Sequence, residues 1–258
     1  MTFMQTTKTM IRRIFIITFL ASYGVSAHAT DLKMATAYNP ADHVTMNAHM
    51  FSGEAQKLSY EKLNIEVHDD GSLLPHAKIF AAVRNGDVDI GEVFMGSLGS
   101  QNPLLLLDNI PFLAQDFESA KLLSEVTRSH VEAYFREQGL ILLYVAAWPP
   151  QGIYSSTKIT SLETLSRSAF RTYSPMTVEL AYKFSANPVD VPYLKIKEAF
   201  NNKEIDVMVS SASTGLSSEA WFFAPFFMDA KAWIPKNVVF MNQKVFENLS
   251  TVEQEAIK

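Results

Sequence analysis

The chain has 258 residues, 48% of them hydrophobic, with 27 acidic against 22 basic side chains for a net charge of −5. An acidic chain without a Lys/Arg run or a basic, aromatic-interleaved stretch offers no surface suited to nucleic acid. It contains no cysteine, so disulfides are excluded and stability must come from a hydrophobic core, which this length supports in one large or two small domains.

Residues 1–29 carry Lys8, Arg12 and Arg13 and no acid, then the apolar run IFIITFLASYGV, then Ala27-His28-Ala29. That is the order of a secretory signal peptide, and the twelve-residue run is short of the roughly 20 residues a bilayer span requires. The expectation is an exported, periplasmic protein whose mature chain starts at Thr30. It would keep 19 basic against 27 acidic residues, a net charge of −8.

LKMATAY (32–38) reads as a strand, residues 42–63 as a helix, and NIEVHDD as a second strand closed by Gly71. LLPHAKIFAAVRNG then reads as a helix stopped by Gly86, where a left-handed residue is expected, and VDIGEVF as a third strand. This βαβαβ order predicts an α/β fold with a largely parallel sheet. FESAKLLSEVTRSHVEAYFREQG has apolar residues at helical spacing and ends on Gly139, and LILLYVAAW reads as a short, fully buried strand.

Near residue 150 the plan restarts. FAAVRNGDVDI (80–90) and KEAFNNKEIDV (197–207) lie 117 residues apart and share Ala82/Ala199, Asn85/Asn202 and Asp89/Asp206, with Ile79/Ile196 just upstream. MATAYNP has a counterpart in AFRTYSP. Two similar α/β lobes are expected, with a ligand cleft between them at the carboxyl ends of the strands. The first lobe would span 30–148, completed by about 238–258, and the second 149–237.

Enzymatic motifs are missing. There is no H-E-x-x-H, P-loop or G-x-G-x-x-G; His43 and His49 are six apart and off one helical face; MGSLG is out of register for a nucleophile elbow. No cofactor or metal is called for. The residue that asks for a role is Arg171 in SAFRTYSP, the last arginine in the chain, at the end of an expected strand. A guanidinium there can grip a carboxylate with two parallel hydrogen bonds, or it can be a strand arginine with its head in water.

Several long motifs in order, GSLLPHAKIFAAVRNGDVDIGEVFMG, DNIPFLA, WPPQGIYS, FRTYSP, NPVDVPYLKIKEAFNNKEIDVMVSSASTG and KAWIPKNVVFMN, give a resemblance from Leu32 to the last residue. The chain resembles the solute-binding proteins of the tripartite ATP-independent periplasmic (TRAP) transporters, in the organic-acid group. The resemblance implies two lobes with a hinged cleft, no enzymatic activity, capture of a small organic anion by a monomer, and delivery to TRAP membrane permease subunits. It places Arg171 on the central carboxylate-binding arginine, Ser210 where an Asn is frequent, and Gln151 where many members carry a second arginine. It also puts Trp148, Tyr154, Tyr173 and Tyr193 on or beside the pocket wall, with Phe94 and Met95 facing them and Trp233 near the closing edge.

A neutral Gln151 cannot neutralise a second carboxylate, so the expected ligand is a monocarboxylate with an apolar or aromatic body. A C4-dicarboxylate is the alternative, with His76 supplying a second polar contact or else lying solvated at a helix start. A sensory binder without a transporter would share the same site. Beside the family pattern, the C-terminal helices that cross both lobes are expected to be missing after LSTVEQEAIK.

Overall fold

A computed structural model describes residues 29–258; the expected leader lies outside the described residues. Ten strands form two five-stranded sheets. In the first, β1 (Thr30–Ala35) pairs in parallel with β2 (Leu63–His68) and β3 (Ile90–Phe94), with α1 (His43–Leu58) and α2 (His76–Asn85) as the crossovers. After α3 (Phe117–Glu137), β4 (Leu140–Ala147) forms the far edge of this sheet. The second sheet uses β5 (Gln151–Ser155), β6 (Ala169–Thr172), α4 (Pro175–Lys183), β7 (Asn187–Asp190), α5 (Ile196–Asn201), β8 (Val207–Ser211), α6 (Ala212–Ser217) and β9 (Phe226–Met228). The chain then returns to the first sheet as β10 (Lys236–Asn242), followed by α7 (Gln243–Asn248) and α8 (Thr251–Ile257).

The helix limits have local causes. α2 stops on Gly86 at φ 84°, whose N–H reaches the Val83 carbonyl at 3.1 Å; a side chain is disfavoured in that left-handed region. α3, α4 and α8 each open on a capping box, Asp116 with Ser119, Ser174 with Thr177, and Ser250 with Glu253, which satisfies backbone donors that a helix start leaves free.

The sheets are mixed, which corrects the largely parallel expectation. β10 inserts between β3 and β4 and runs antiparallel to both, and β5 runs antiparallel to β8. The first sheet therefore takes β10 from beyond the strands of the second, a pairing that no local pattern reveals, while the second is built from the consecutive strands β5 to β9. β4, read as fully buried, is an edge strand and mostly half-buried. All seven residues of β10 are buried instead, as expected for a strand covered on both faces.

The internal repeat is present down to single hydrogen bonds. Asp89 accepts from the Lys33 N–H at 2.7 Å, and Asp206 accepts from the Ala169 N–H at 3.0 Å. Their carbonyls accept from Asn242 and Ser156, both at 2.9 Å. The turn made by Gly86 is made in the second lobe by Lys203 at φ 59°. The strand alignment shifts by one residue from the sequence match: Ala35 pairs with Gly91 and Arg171 with Met208, so Arg171 stands where the first sheet has Ala35. Apolar clusters cover both faces of each sheet, around Phe135 and Phe240 and around Met34 and Ile90 in the first, around Ile196 and Met208 and around Phe170 and Trp233 in the second.

Candidate functional site

A cavity of about 690 Å³ lies between the two sheets, lined from both. β4 passes to β5, and β9 to β10, through two crossing segments beside it. These are zipped together: the N–H of Trp148 donates to Pro235 and that of Gln151 to Trp233, each at 2.9 Å.

Arg171 sits on this wall at 4% exposure. Its Nε donates to the Val191 carbonyl at 2.9 Å, and its guanidinium lies 4.7 Å from the Tyr173 ring centre. No carboxylate among the described residues forms an ion pair with it. Burial lowers its pKa, while Tyr173, Tyr193, Tyr38 and Asp190 oppose that effect. A buried cation without an ion-pair partner is costly, and this one lines the cavity.

Six more of the expected residues meet around it. Ser210, on β8 beside the arginine strand, and Gln151, at the start of β5, both line the cavity. The Gln151 amide donates to the Pro149 carbonyl at 2.9 Å, which holds the side chain in place. Tyr173 meets Phe94 edge-on across the cleft at 5.4 Å between centroids, and its burial pushes the phenol up to about 12. Trp148 and Tyr193 complete this wall, 6.4 Å apart.

His76 also lines the cavity, from the first residue of α2, so the solvated helix-start reading is wrong. Its Nε2 accepts the backbone N–H of Phe94 at 3.0 Å. Burial, then the nearby Arg171 charge, pushes its pKa down to about 4. The ring is neutral near pH 7.

Three expected residues are core and do not line the cavity. Tyr154 packs against Phe227 at 4.6 Å and donates to the Ser211 carbonyl at 3.2 Å. Its hydroxyl occupies the space above Gly215, where an added Cβ would lie 1.9 Å away. Met95 belongs to the first-lobe core beneath Phe135 and Val238, because β3 ends one residue earlier and the chain turns inward. Trp233, 1% exposed, packs against Phe170 and Val209 in the second-lobe core.

The sequence reading gave no wall role to five polar residues that organise it: Tyr38, Asp42, His43, Glu92 and Asn237. Asn237, on β10, accepts from the Trp148 indole at 2.8 Å and from the Tyr38 hydroxyl at 3.4 Å, and donates to Glu92 at 3.0 Å. Glu92 is fully buried on β3 and also accepts from Thr36 at 2.6 Å; burial raises its pKa. This network fixes two aromatic rings of the wall from behind. Asp42, just before α1, accepts from Tyr193 of the other lobe, which also meets Ser217 at 3.1 Å. His43 spans the same junction, 3.0 Å from both Ser213 and the Ala147 carbonyl. Only Tyr38 left a trace in sequence, as part of the repeated MATAYNP; the others are joined by pairings 145 and 151 residues apart.

No helix among the described residues is long and apolar enough to cross a membrane, and no group of His, Asp or Glu among them is placed to hold a metal. A buried arginine among aromatic rings and polar groups, Asp190 the one carboxylate on the wall, makes a cavity suited to a small anion. They supply no acid/base pair aimed at a common point.

Known proteins agree with that geometry. Residues 34–258 match the family described as bacterial extracellular solute-binding protein, family 7 (DctP). The structure superposes on DctP7, a Bordetella pertussis extracytoplasmic solute receptor binding pyroglutamic acid, with a TM-score of 0.87 and 34% identity, covering 89% of this chain and 76% of that one. A marine metagenome TRAP solute-binding protein specific for pyroglutamate gives 0.87 and 30% over 89% and 76%. The 2,3-diketo-L-gulonate-binding periplasmic protein YiaO of Escherichia coli (strain K12) is 23% identical over 92% of this chain and 74% of its own length. This chain belongs to family 7 of the bacterial extracellular solute-binding proteins, and is a TRAP-type receptor for organic acids, not an enzyme.

Proposed function

We propose that the protein captures a monocarboxylate with a compact, largely apolar body in the periplasm, where residues 1–29 would direct it, and delivers it as a monomer to a TRAP membrane permease. The observation that carries this is Arg171, buried, without an anionic partner and open to the cavity. The ligand carboxylate would take its terminal nitrogens, with Ser210 and Gln151 as neutral neighbours. Each charge-assisted bond contributes about 1.5–3 kcal/mol. Tyr173, Phe94, Trp148 and Tyr193 would enclose the body of the ligand. Residues 149–237, as the second lobe, would close on the first when the ligand is present.

Pyroglutamate is the first candidate, since two receptors at 34% and 30% identity are named for it. A C4-dicarboxylate would set its second charge near neutral Gln151 and neutral His76, which favours the monocarboxylate. Titration calorimetry of the chain from Thr30 with pyroglutamate and with succinate tests the reading. Saturable binding of pyroglutamate, reduced at least about 100-fold in Arg171→Ala, is expected. Binding of succinate alone, or unchanged affinity in the variant, would overturn it.

A further inference from the structure

We propose that His76 selects among carboxylates by donating from Nδ1 to an uncharged oxygen, a ring carbonyl, oxo or hydroxyl group, on the part of the ligand away from Arg171. This rests on the reading of Arg171 as the carboxylate anchor and adds the second point of recognition.

A backbone N–H can only donate, so the Nε2 that receives the Phe94 N–H at 3.0 Å carries no proton. In a neutral imidazole the proton is then on Nδ1. That atom has no partner among the described residues, yet is not among the polar atoms sealed away unpaired. The ring itself lines the cavity. The free donor therefore faces accessible space, on a wall where Gln151, Ser210 and Asp190 lie with Arg171 in the other lobe.

The donor is also fixed in place. His76 is the first residue of α2, follows Pro75, and meets the Tyr38 ring edge-on at 6.1 Å. Burial and the Arg171 charge both resist a second proton, so the group stays an uncharged donor suited to an uncharged acceptor. The other cation on the wall, Arg84, is exposed and already engaged, its Nη1 3.5 Å from the Gln138 side chain and its guanidinium 5.9 Å from the Phe80 ring centre. A site with a positioned donor rejects an analogue that lacks the matching acceptor.

The test compares pyroglutamate with cyclopentanecarboxylate, which has the same ring size and carboxylate but neither the ring carbonyl nor the ring N–H, by calorimetry on wild type and His76→Phe. The wild type should prefer pyroglutamate by about tenfold or more, and the variant should lose that preference, with cyclopentanecarboxylate changing less than about threefold. An equal change for both ligands would overturn the role of His76 while leaving the Arg171 reading in place. Failure of both to bind wild type would remove the Arg171 reading and this one with it.

Because Phe94 loses its acceptor in His76→Phe, a second measurement uses the wild type. Nitrogen NMR of labelled histidine should show the Nδ1–H form of His76 at pH 7, perturbed by pyroglutamate and not by cyclopentanecarboxylate. An Nε2–H form, or the same perturbation by both, would refute the proposal.

Discussion

The two sheets share strand order, turn geometry and the aspartates that tie helix, turn and strand together, yet one carries a small apolar residue at the position where the other carries a buried arginine. Ala35 pairs with Gly91 at the end of β1 and is 1% exposed inside the first sheet; Arg171 pairs with Met208 at the equivalent place and faces the cavity. The repeat builds two frames that meet across a gap. One side chain, set at a strand end without an ion-pair partner among the described residues, puts a buried cation on the wall of that gap.

Exchanging the roles of those positions gives the largest effect. Ala35→Arg places a cation inside an apolar cluster and should cost roughly 3–5 kcal/mol, visible as a melting temperature far below wild type. Arg171→Ala should leave the unliganded protein at least as stable, because it removes an uncompensated charge, while abolishing ligand-induced stabilisation. A large loss of unliganded stability in Arg171→Ala would show that the arginine is structural.

The two lobes also differ in how their wall groups titrate. The pKa of His76 lies at about 4 when folded, against 6.5 for an ordinary histidine. Between these values the unfolded chain binds a proton that the folded chain refuses, so stability falls as pH drops from 6.5 towards 4. The loss reaches up to about 3 kcal/mol at 1.36 kcal/mol per unit. Denaturation at a series of pH values should show this slope in wild type and not in His76→Phe, with its sign set by a lowered folded pKa.

The smallest effect tests the shared frame. Asp89→Ala and Asp206→Ala each remove the acceptor for one backbone N–H, of Lys33 and Ala169 respectively, and should each cost about 1–2 kcal/mol. The sites lie in separate sheets, so the double variant should be additive within about 0.5 kcal/mol. Strongly unequal losses in urea melts would mean that the two turns are alike in geometry and unlike in energy.

Much of this was legible because it is local. The βαβαβ order, the stop at Gly86, the 117-residue repeat and the likeness to an organic-acid receptor family all rest on spacing along the chain. The errors follow from direction and partner. Tyr154, Met95 and Trp233 have the residue types of a pocket wall, but the turn of the backbone and the space above Gly215 place them in the core. The one-residue shift between β1 and β6 came from matching the shared Tyr-x-Pro, while the ladder is set by hydrogen bonds to β3 and β8. Asp42, Glu92 and Asn237 carried no signal, since a buried polar residue is defined by what reaches it.

By itself the sequence determined the α/β class, the duplication and the family, and singled out Arg171 as the residue to look for in the cleft, since turn chemistry, periodicity and order of motifs are properties of neighbouring residues. Only the tertiary structure decided that the sheets are mixed, which aromatic rings line the cavity, that Asn237 and Glu92 hold two of them, and that His76 lines the cavity with Nε2 taken by the Phe94 N–H. Those depend on the return of β10 to the first sheet and on hydrogen bonds between residues far apart in sequence, and on burial, which sets charge and direction only once the chain has folded.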